Sequence, residues 1–142
     1  MENLGLLSLL LQPVKAALED LPKGLAYNSC GVAQKWLEWW FASKDNKIRF
    51  SFRLVRHNGG WYCGTQAMCP LWGYGMPISD CDKRFSNYED AVMWAFEIAR
   101  NHFVRNEKEF DWFEKNVSPA VTKWRGNSTL DNFTIGGYGD AL

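Results

Sequence analysis

One stretch of the chain constrains its fold more than any other. In KIRFSFRLVRH, residues 47–57, apolar and polar side chains alternate, which is the pattern of a strand with one buried face. Asn58 and Gly59 follow directly, and Asn-Gly is the strongest short signal for a two-residue hairpin turn. That turn places Leu54 opposite Cys63, so we predict an antiparallel hairpin whose register is set by the turn.

The predicted register divides the hairpin into a core face and a polar face. The core face is predicted to comprise Ile48, Phe50, Phe52, Leu54, Trp61, Cys63, Thr65 and Ala67. The polar face is predicted to comprise Arg49, Ser51, Arg53, Val55, His57, Tyr62 and Gln66. A turn one residue longer would shift the register and mix arginines into the buried set, so the clean division favours the two-residue turn.

Helical periodicity is found on both sides of the hairpin. Residues 3–20 read as helical, and residues 30–43, CGVAQKWLEWWFAS, carry Val32, Trp36, Trp39 and Trp40 at helical spacing. A further helix is predicted to begin at the capping-box pattern Ser86–Glu89 and to be ended by Pro119, with a break or a continuation at 105–109. Its predicted buried stripe comprises Val92, Ala95, Phe96, Ala99 and Phe103.

These elements predict an α+β fold, in which an antiparallel β-hairpin or three-stranded sheet packs against N- and C-terminal helices. A third strand is expected near residues 78–81. We expect one compact domain over residues 1–125, because a chain of this length suffices for a single core. Residues 126–142 are polar and rich in glycine, and they are predicted to form a loosely held tail.

Charge and the N-terminal region bear on partners and compartment. The 16 basic and 16 acidic residues cancel, whereas a dedicated duplex-DNA binder carries basic excess and a DNA mimic carries acidic excess. The apolar run near the N-terminus has no Lys or Arg before it and is too short to cross a bilayer. We therefore expect a cytoplasmic protein that makes no membrane contact.

The four cysteines raise the possibility of a zinc or cysteine-dependent enzyme. Cys63, Cys69 and Cys81 lack the paired C-x-x-C spacing of zinc sites, and the register sends His57 and Cys63 to opposite faces. The pairing of Cys69 or Cys81 with His102 is the one candidate for a nucleophile and its base. We expect no metal, no cofactor and no catalysis. Whether Cys69 and Cys81 are ligands, reactive thiols or structural residues stays open.

The polar face of the hairpin suggests a second function, binding of single-stranded nucleic acid. Arg49 and Arg53 would supply positive charge, and Tyr62 would supply a ring on which a base stacks. A polar face is also the ordinary solvated side of an antiparallel sheet. Because net charge is zero, we rank this function below protein binding.

Aromatic residues carry the leading hypothesis. The chain has eight Trp, nine Phe and five Tyr, and aromatic side chains dominate protein interfaces. One helix can hardly bury Trp36, Trp39 and Trp40 all on a single side, so at least one ring is expected to be exposed. Glycines lie beside Trp72 and Tyr74 in the Gly-rich loop that follows the hairpin. We predict a non-enzymatic accessory factor that binds another protein stoichiometrically through these five residues. An inhibitor of a host nuclease or CRISPR-type defence, encoded by a phage or plasmid, is the more specific expectation.

Overall fold

The computed structural model describes residues 35–57, 59–76, 78 and 83–137. This part of the chain contains a five-stranded antiparallel sheet in the order β4-β3-β2-β1-β5. The strands are β1 (Lys35–Ala42), β2 (Arg49–His57), β3 (Gly60–Met68), β4 (Gly73–Gly75) and β5 (Thr134–Gly137). The helices are α1 (Tyr88–Phe103), α2 (Glu107–Asn116) and α3 (Ser118–Gly126). The predicted α+β class is confirmed; the helix predicted over residues 3–20 lies outside the described residues.

The central hairpin has the predicted register. β2 pairs with β3 so that Leu54 faces Cys63 and Phe52 faces Thr65. Gly59 in the turn has a φ of 74°, a left-handed conformation that glycine adopts without strain. Phe50, Phe52, Leu54 and Cys63 are buried on the face toward the helices, which we call the core face.

The segment around Trp39 is a strand, so the predicted helix over residues 30–43 is wrong for residues 35–42. β1 pairs with β2, with Trp39 opposite Phe52 and Phe41 opposite Phe50. Leu37, Trp39 and Phe41 therefore share the core face, whereas Trp36 and Trp40 alternate to the other face. A strand with apolar side chains on both faces has no polar alternation, and such a run resembles a buried helix in the sequence.

The three helices cover the core face. The apolar stripe of α1 is buried as predicted, and it comprises Ala91, Val92, Ala95, Phe96, Ala99 and Phe103. The ring of Phe50 on β2 meets Phe103 of α1 and Phe113 of α2 edge to face, at centroid distances of 5.8 and 5.4 Å. Such aromatic pairs contribute about 0.5–1.5 kcal/mol each beyond the area that they bury.

The helix boundaries differ in detail from those expected. The N-cap of α1 is Asn87, whose side-chain oxygen accepts a hydrogen bond from the backbone N–H of Asp90 at 2.9 Å. Of the two alternatives left open at 105–109, the structure has the break, since α1 ends at Phe103 and α2 begins at Glu107. Pro119 lies in the first turn of α3, where its missing N–H costs no intrahelical bond.

The segment predicted as a loosely held tail contributes to the sheet, which corrects that prediction for residues 130–137. A short 3₁₀ turn at Leu130–Asn132 leads to the buried Phe133 and then to β5, which pairs with β1. The indole N–H of Trp124 donates to the carbonyl oxygen of Thr129 at 2.8 Å and joins this segment to α3.

Candidate functional site: the back face of the sheet and the β3–β4 turn

The face of the sheet opposite α1–α3, which we call the back face, is buried at one end and exposed at the other. The buried end is an apolar cluster of Trp36, Val55, Tyr62 and Ile78. Backbone pairing aligns the next residues in rows across the strands. One row is Trp40, Ser51, Gln66 and Gly75, and the last row is Ala42, Arg49, Met68 and Gly73. All four residues of the last row are exposed.

Met76 and Ile78, which follow β4, lie against the buried end of the back face. A Cβ atom at Gly64 would lie 2.8 Å from the carbonyl oxygen of Met76 and 3.1 Å from Cγ1 of Ile78. The close approach of Met76 and Ile78 therefore leaves room only for glycine at this position. In the last two rows Trp40, Met68 and Arg49 are exposed, Gln66 is half-buried and Ser51 is buried.

An ion pair with aromatic neighbours separates the two ends. Glu38 pairs with Arg53 at 3.4 Å, and the two side chains are only 12% and 14% exposed. The indole N–H groups of Trp36 and Trp40 both donate to the Glu38 carboxylate. The guanidinium of Arg53 lies 4.4 Å from the Trp36 ring centroid and also donates to Gln66. The carboxylate thus fixes the orientation of both indole rings, one buried and one exposed.

The exposed end carries large apolar side chains. Trp40 is 45% exposed, Met68 58% and Leu71 95%, and Arg49 is exposed beside them. Neighbouring strands lie about 4.8 Å apart, so Trp40 and Met68 are separated by about two strand spacings and two residues along the strand. We call Trp40, Arg49, Met68 and Leu71 the rim.

The β3–β4 turn, which carries Leu71 at its tip, is fixed by a backbone hydrogen bond and by the packing of Trp72. The backbone N–H of Cys69 donates to the carbonyl oxygen of Trp72 at 2.8 Å, which closes a tight turn with Pro70 and Leu71 at its tip. The Trp72 ring packs edge to face on Phe103 at 5.0 Å. Leu71 is therefore held out in solvent by the packing of its neighbour.

Tyr74 anchors the same hairpin on the core face. Its ring stacks on His102 of α1 at a centroid distance of 3.9 Å, and its hydroxyl oxygen lies 2.9 Å from Oγ1 of Thr65. Burial raises the pKa of Tyr74 above its usual range, and the hydrogen bond to Thr65 opposes part of that shift. The phenol therefore serves as a neutral structural group.

The five residues predicted to bind a partner are distributed over three environments. Trp36 belongs to the buried back-face cluster, and Trp39 is part of the core, where its ring lies 5.6 Å from Phe52. Trp72 and Tyr74 are half-buried in the anchored turn. Trp40 is the member with a broadly exposed ring.

Sequence reasoning missed Glu38, Met68 and Leu71. The alternation of β3 contained a signal for Met68. Side chains two positions apart share a face, so Met68 lies on the same face as Gln66. The Cys-Pro-Leu-Trp turn contained the signal for Leu71, since the tip of a tight turn is solvent-facing. Glu38 had no local signal, because its partner Arg53 is brought next to it by strand pairing.

The residues of the predicted nucleic-acid platform do not form a common exposed surface. Arg49 is exposed, but Tyr62 is buried within the Trp36 cluster. Arg53 is almost covered and is engaged by Glu38, Trp36 and Gln66. A base could not stack on Tyr62 without displacement of the residues that cover it.

The cysteines within the described residues have the environment of structural thiols. Cys63 is buried, and desolvation raises its pKa far above the usual range for a thiol. Burial and the nearby charge of Glu109 raise the pKa of Cys69 to about 11. Cys30 and Cys81 lie outside the described residues, and no group of three or more metal-ligating side chains occurs within the described ranges.

Comparisons with known proteins gave no relative for this chain. No protein-family model, curated protein or solved structure matches it. Among the helices that the structure describes, none has the length and apolar character needed to cross a membrane.

Proposed function

We propose that this chain is a non-enzymatic, protein-binding factor whose partner docks on the rim. The observation that carries the proposal is the joint exposure of Trp40, Met68 and Leu71 at one end of the sheet. Trp, Tyr and Arg are enriched among the residues that dominate binding energy at interfaces, and the rim combines an indole and a guanidinium with two flexible aliphatic side chains.

Preorganisation of the rim supports the proposal. The indole of Trp40 is oriented by the Glu38 carboxylate, and Glu38 is itself held by Arg53. Leu71 stands on a turn that is anchored by Trp72. The Trp40 side chain and the backbone at Leu71 are thus already ordered, so they lose little conformational entropy on binding and more of the contact energy appears as affinity.

Affinity capture with matched variants tests the proposal. The tagged full-length chain is compared with Trp40→Ala, Met68→Ala and the control Val104→Ala. Val104 is a match because it is 53% exposed and apolar but follows α1 on the helical side of the sheet. Loss of an interface hot spot costs about 2 kcal/mol or more, a fall of roughly 30-fold in affinity.

We expect the wild type and Val104→Ala to capture one dominant protein at a molar ratio of one to one. Both rim variants, Trp40→Ala and Met68→Ala, should fail to capture it. Retention of the same protein by all four forms would refute the rim as the docking surface. Circular dichroism of each variant checks that the fold is preserved.

Stoichiometric inhibition of a host nuclease or CRISPR-type defence is the more specific form of the proposal. It is supported by an exposed surface suited to blocking a partner, and it requires its own assay. Titration of the chain into nuclease or effector reactions should abolish cleavage at equimolar protein, and Trp40→Ala should shift the titration to higher concentration. Unaltered cleavage at a large excess would remove this form while leaving protein binding intact.

A further inference from the structure

The edge of the sheet next to the rim has unpaired backbone groups. β4 is an edge strand, and its other side pairs with β3. Two hydrogen bonds flank the strand: Cys69 N–H donates to Trp72, and Met76 N–H donates to Thr65. In an antiparallel ladder the inward-bonded residues alternate, so the backbone groups of Trp72, Tyr74 and Met76 face β3. Those of Gly73 and Gly75 consequently face away from the sheet.

Nothing on the strand itself blocks this edge. Natural edge strands are protected by short length, charged side chains, proline or a bulge. Gly73-Tyr74-Gly75 is short, at three residues, but it has no charged side chain and no proline. Both glycines are exposed, and a Cβ atom built on Gly75 would meet no heavy atom within 4 Å. Two N–H donors and two carbonyl acceptors are thus presented to solvent in the spacing of a strand.

We propose that β4 accepts an extended segment of the partner protein as an additional antiparallel or parallel strand, an inference that rests on the proposed function. Main-chain hydrogen bonds to Gly73 and Gly75 would hold the segment, as in other cases of β-strand addition. The added strand would extend the last two rows of the back face, which end at Gly73 and Gly75 and contain the exposed Met68 and Trp40.

The glycines define the side chains that such a segment carries. Because Gly73 and Gly75 have no side chain, a large apolar residue opposite each of them can lie across the glycine toward the neighbouring strand. On β3, the residue paired with Gly73 is Met68, and the residue paired with Gly75 is Gln66. A large side chain of the added segment could therefore reach across each glycine to one of these residues. The intervening residue of the segment lies beside Tyr74 on the core face. The recognised sequence is therefore an extended segment with large apolar residues at two alternate positions.

A second copy of this chain fits the edge less well. Antiparallel self-pairing about Tyr74 would set Gly73 of one copy opposite Gly75 of the other, so neither copy would supply a side chain to cover the glycines. Little apolar area would be buried on the back face, and the exposed Met68 would stay in solvent. A segment from another protein is thus the favoured occupant.

Selection from a randomised twelve-residue peptide display library, with the full-length chain as bait, provides a defined probe. Selected peptides are expected to carry large apolar residues at positions i and i+2. On binding of a synthetic selected peptide, NMR amide exchange should slow at least tenfold at Gly73 and Gly75. The Tyr74 amide, which faces β3 in the free protein, should change little. Protection at other amides, with none at Gly73 and Gly75, would overturn the proposal.

A pair of substitutions at one position tests the backbone contact. Gly75→Ala keeps the outward N–H and adds a methyl group in open space, so peptide affinity should stay within about threefold. Gly75→Pro removes that N–H, and affinity should fall at least tenfold. Circular dichroism and thermal unfolding check the fold of Gly75→Pro, and the exchange measurement on the wild type is independent of it.

The outcomes separate this inference from the proposed function. If the captured partner is lost by Trp40→Ala but retained by Gly75→Pro, and its complex leaves the Gly73 and Gly75 amides unprotected, strand addition is wrong while the rim stands. If the rim variants retain the partner, the proposed function fails first. If the isolated chain shows concentration-dependent protection of these amides and sediments as a dimer, the occupant is a second copy and the proposal is overturned.

Discussion

Trp39 and Trp40 are adjacent residues with opposite environments, and their replacement by alanine tests the strand that contains them. The Trp39 ring lies in the core. Its centroid is 4.9, 5.9 and 5.7 Å from the ring centroids of Phe41, Trp124 and Phe133. A buried aromatic side chain removes about 150–250 Å² from water. With the cavity that truncation leaves, Trp39→Ala should lower the free energy of unfolding by about 3–5 kcal/mol.

The corresponding loss for Trp40→Ala is much smaller. The residue is 45% exposed, so roughly half of the aromatic area is buried, and no closed cavity remains after truncation. At about 25 cal/mol per Å², the buried half corresponds to about 2.5 kcal/mol, and the alanine methyl group and the regained side-chain entropy recover part of it. We expect a loss of about 1–2 kcal/mol.

Urea unfolding followed by far-ultraviolet circular dichroism measures both changes without reliance on tryptophan fluorescence. The expected difference between the two variants is at least about 2 kcal/mol, with similar m-values. In a helix over residues 30–43, Trp36, Trp39 and Trp40 would lie on one side, and the two variants would be about equally destabilised. Equal losses would therefore refute the assignment of β1 as a strand.

Three further predictions concern packing, charge and thiol chemistry. Gly64→Val should lower the free energy of unfolding in urea by about 1–3 kcal/mol, because the valine Cβ would clash with the backbone of Met76. Unchanged stability would contradict the close approach of Met76 to Gly64. A double-mutant cycle with Glu38→Gln and Arg53→Met should give a coupling energy of about 0.5–3 kcal/mol, whereas additivity would show that the pair does not interact. Alkylation of Cys69 can be followed by peptide mass spectrometry. At pH 8 its rate should be about 100-fold lower than the rate of a thiol whose pKa is 9, because the thiolate population falls tenfold for each unit by which the pKa is raised. The rate should rise with pH until about 11, and a plateau near pH 9 would refute the effect of burial.

The hairpin could be predicted because its signals are local. The alternation in β2 and the Asn58-Gly59 turn together specify one register, and the structure has that register. The stripe of α1 was likewise predictable, because all of its members lie on one helix and repeat with its period.

β1 and β5 could not be predicted because their structure depends on distant partners. β1 has apolar residues on both faces, so its own sequence lacks a strand period, and pairing with β2 determines its conformation. β5 has two glycines and few apolar residues, and it becomes a strand because β1 offers it an edge. Tertiary pairing overrides local propensity in both cases.

The same limitation affected the candidate site. The aromatic residues were correctly singled out as a group, but exposure depends on the face that each residue occupies. A helix placed Trp36, Trp39 and Trp40 together, whereas the strand sends Trp39 to the core and Trp40 to the back face. Burial of the polar face at Val55 and Tyr62 also could not be anticipated, because it depends on Met76 and Ile78, which are distant in sequence and reach this face only through the fold.

Oxidative footprinting of the chain, free and in complex with its captured partner, tests the central claim most directly. In the free chain, hydroxyl radicals should oxidise Met68 and Trp40 readily and Trp36 and Trp39 slowly, in line with their exposure. On complex formation, oxidation of Trp40, Met68 and Leu71 should fall severalfold while that of Val104 stays constant. Unchanged oxidation of Trp40 and Met68, with protection confined to Val104 or another surface, would contradict the assignment of the rim as the docking surface.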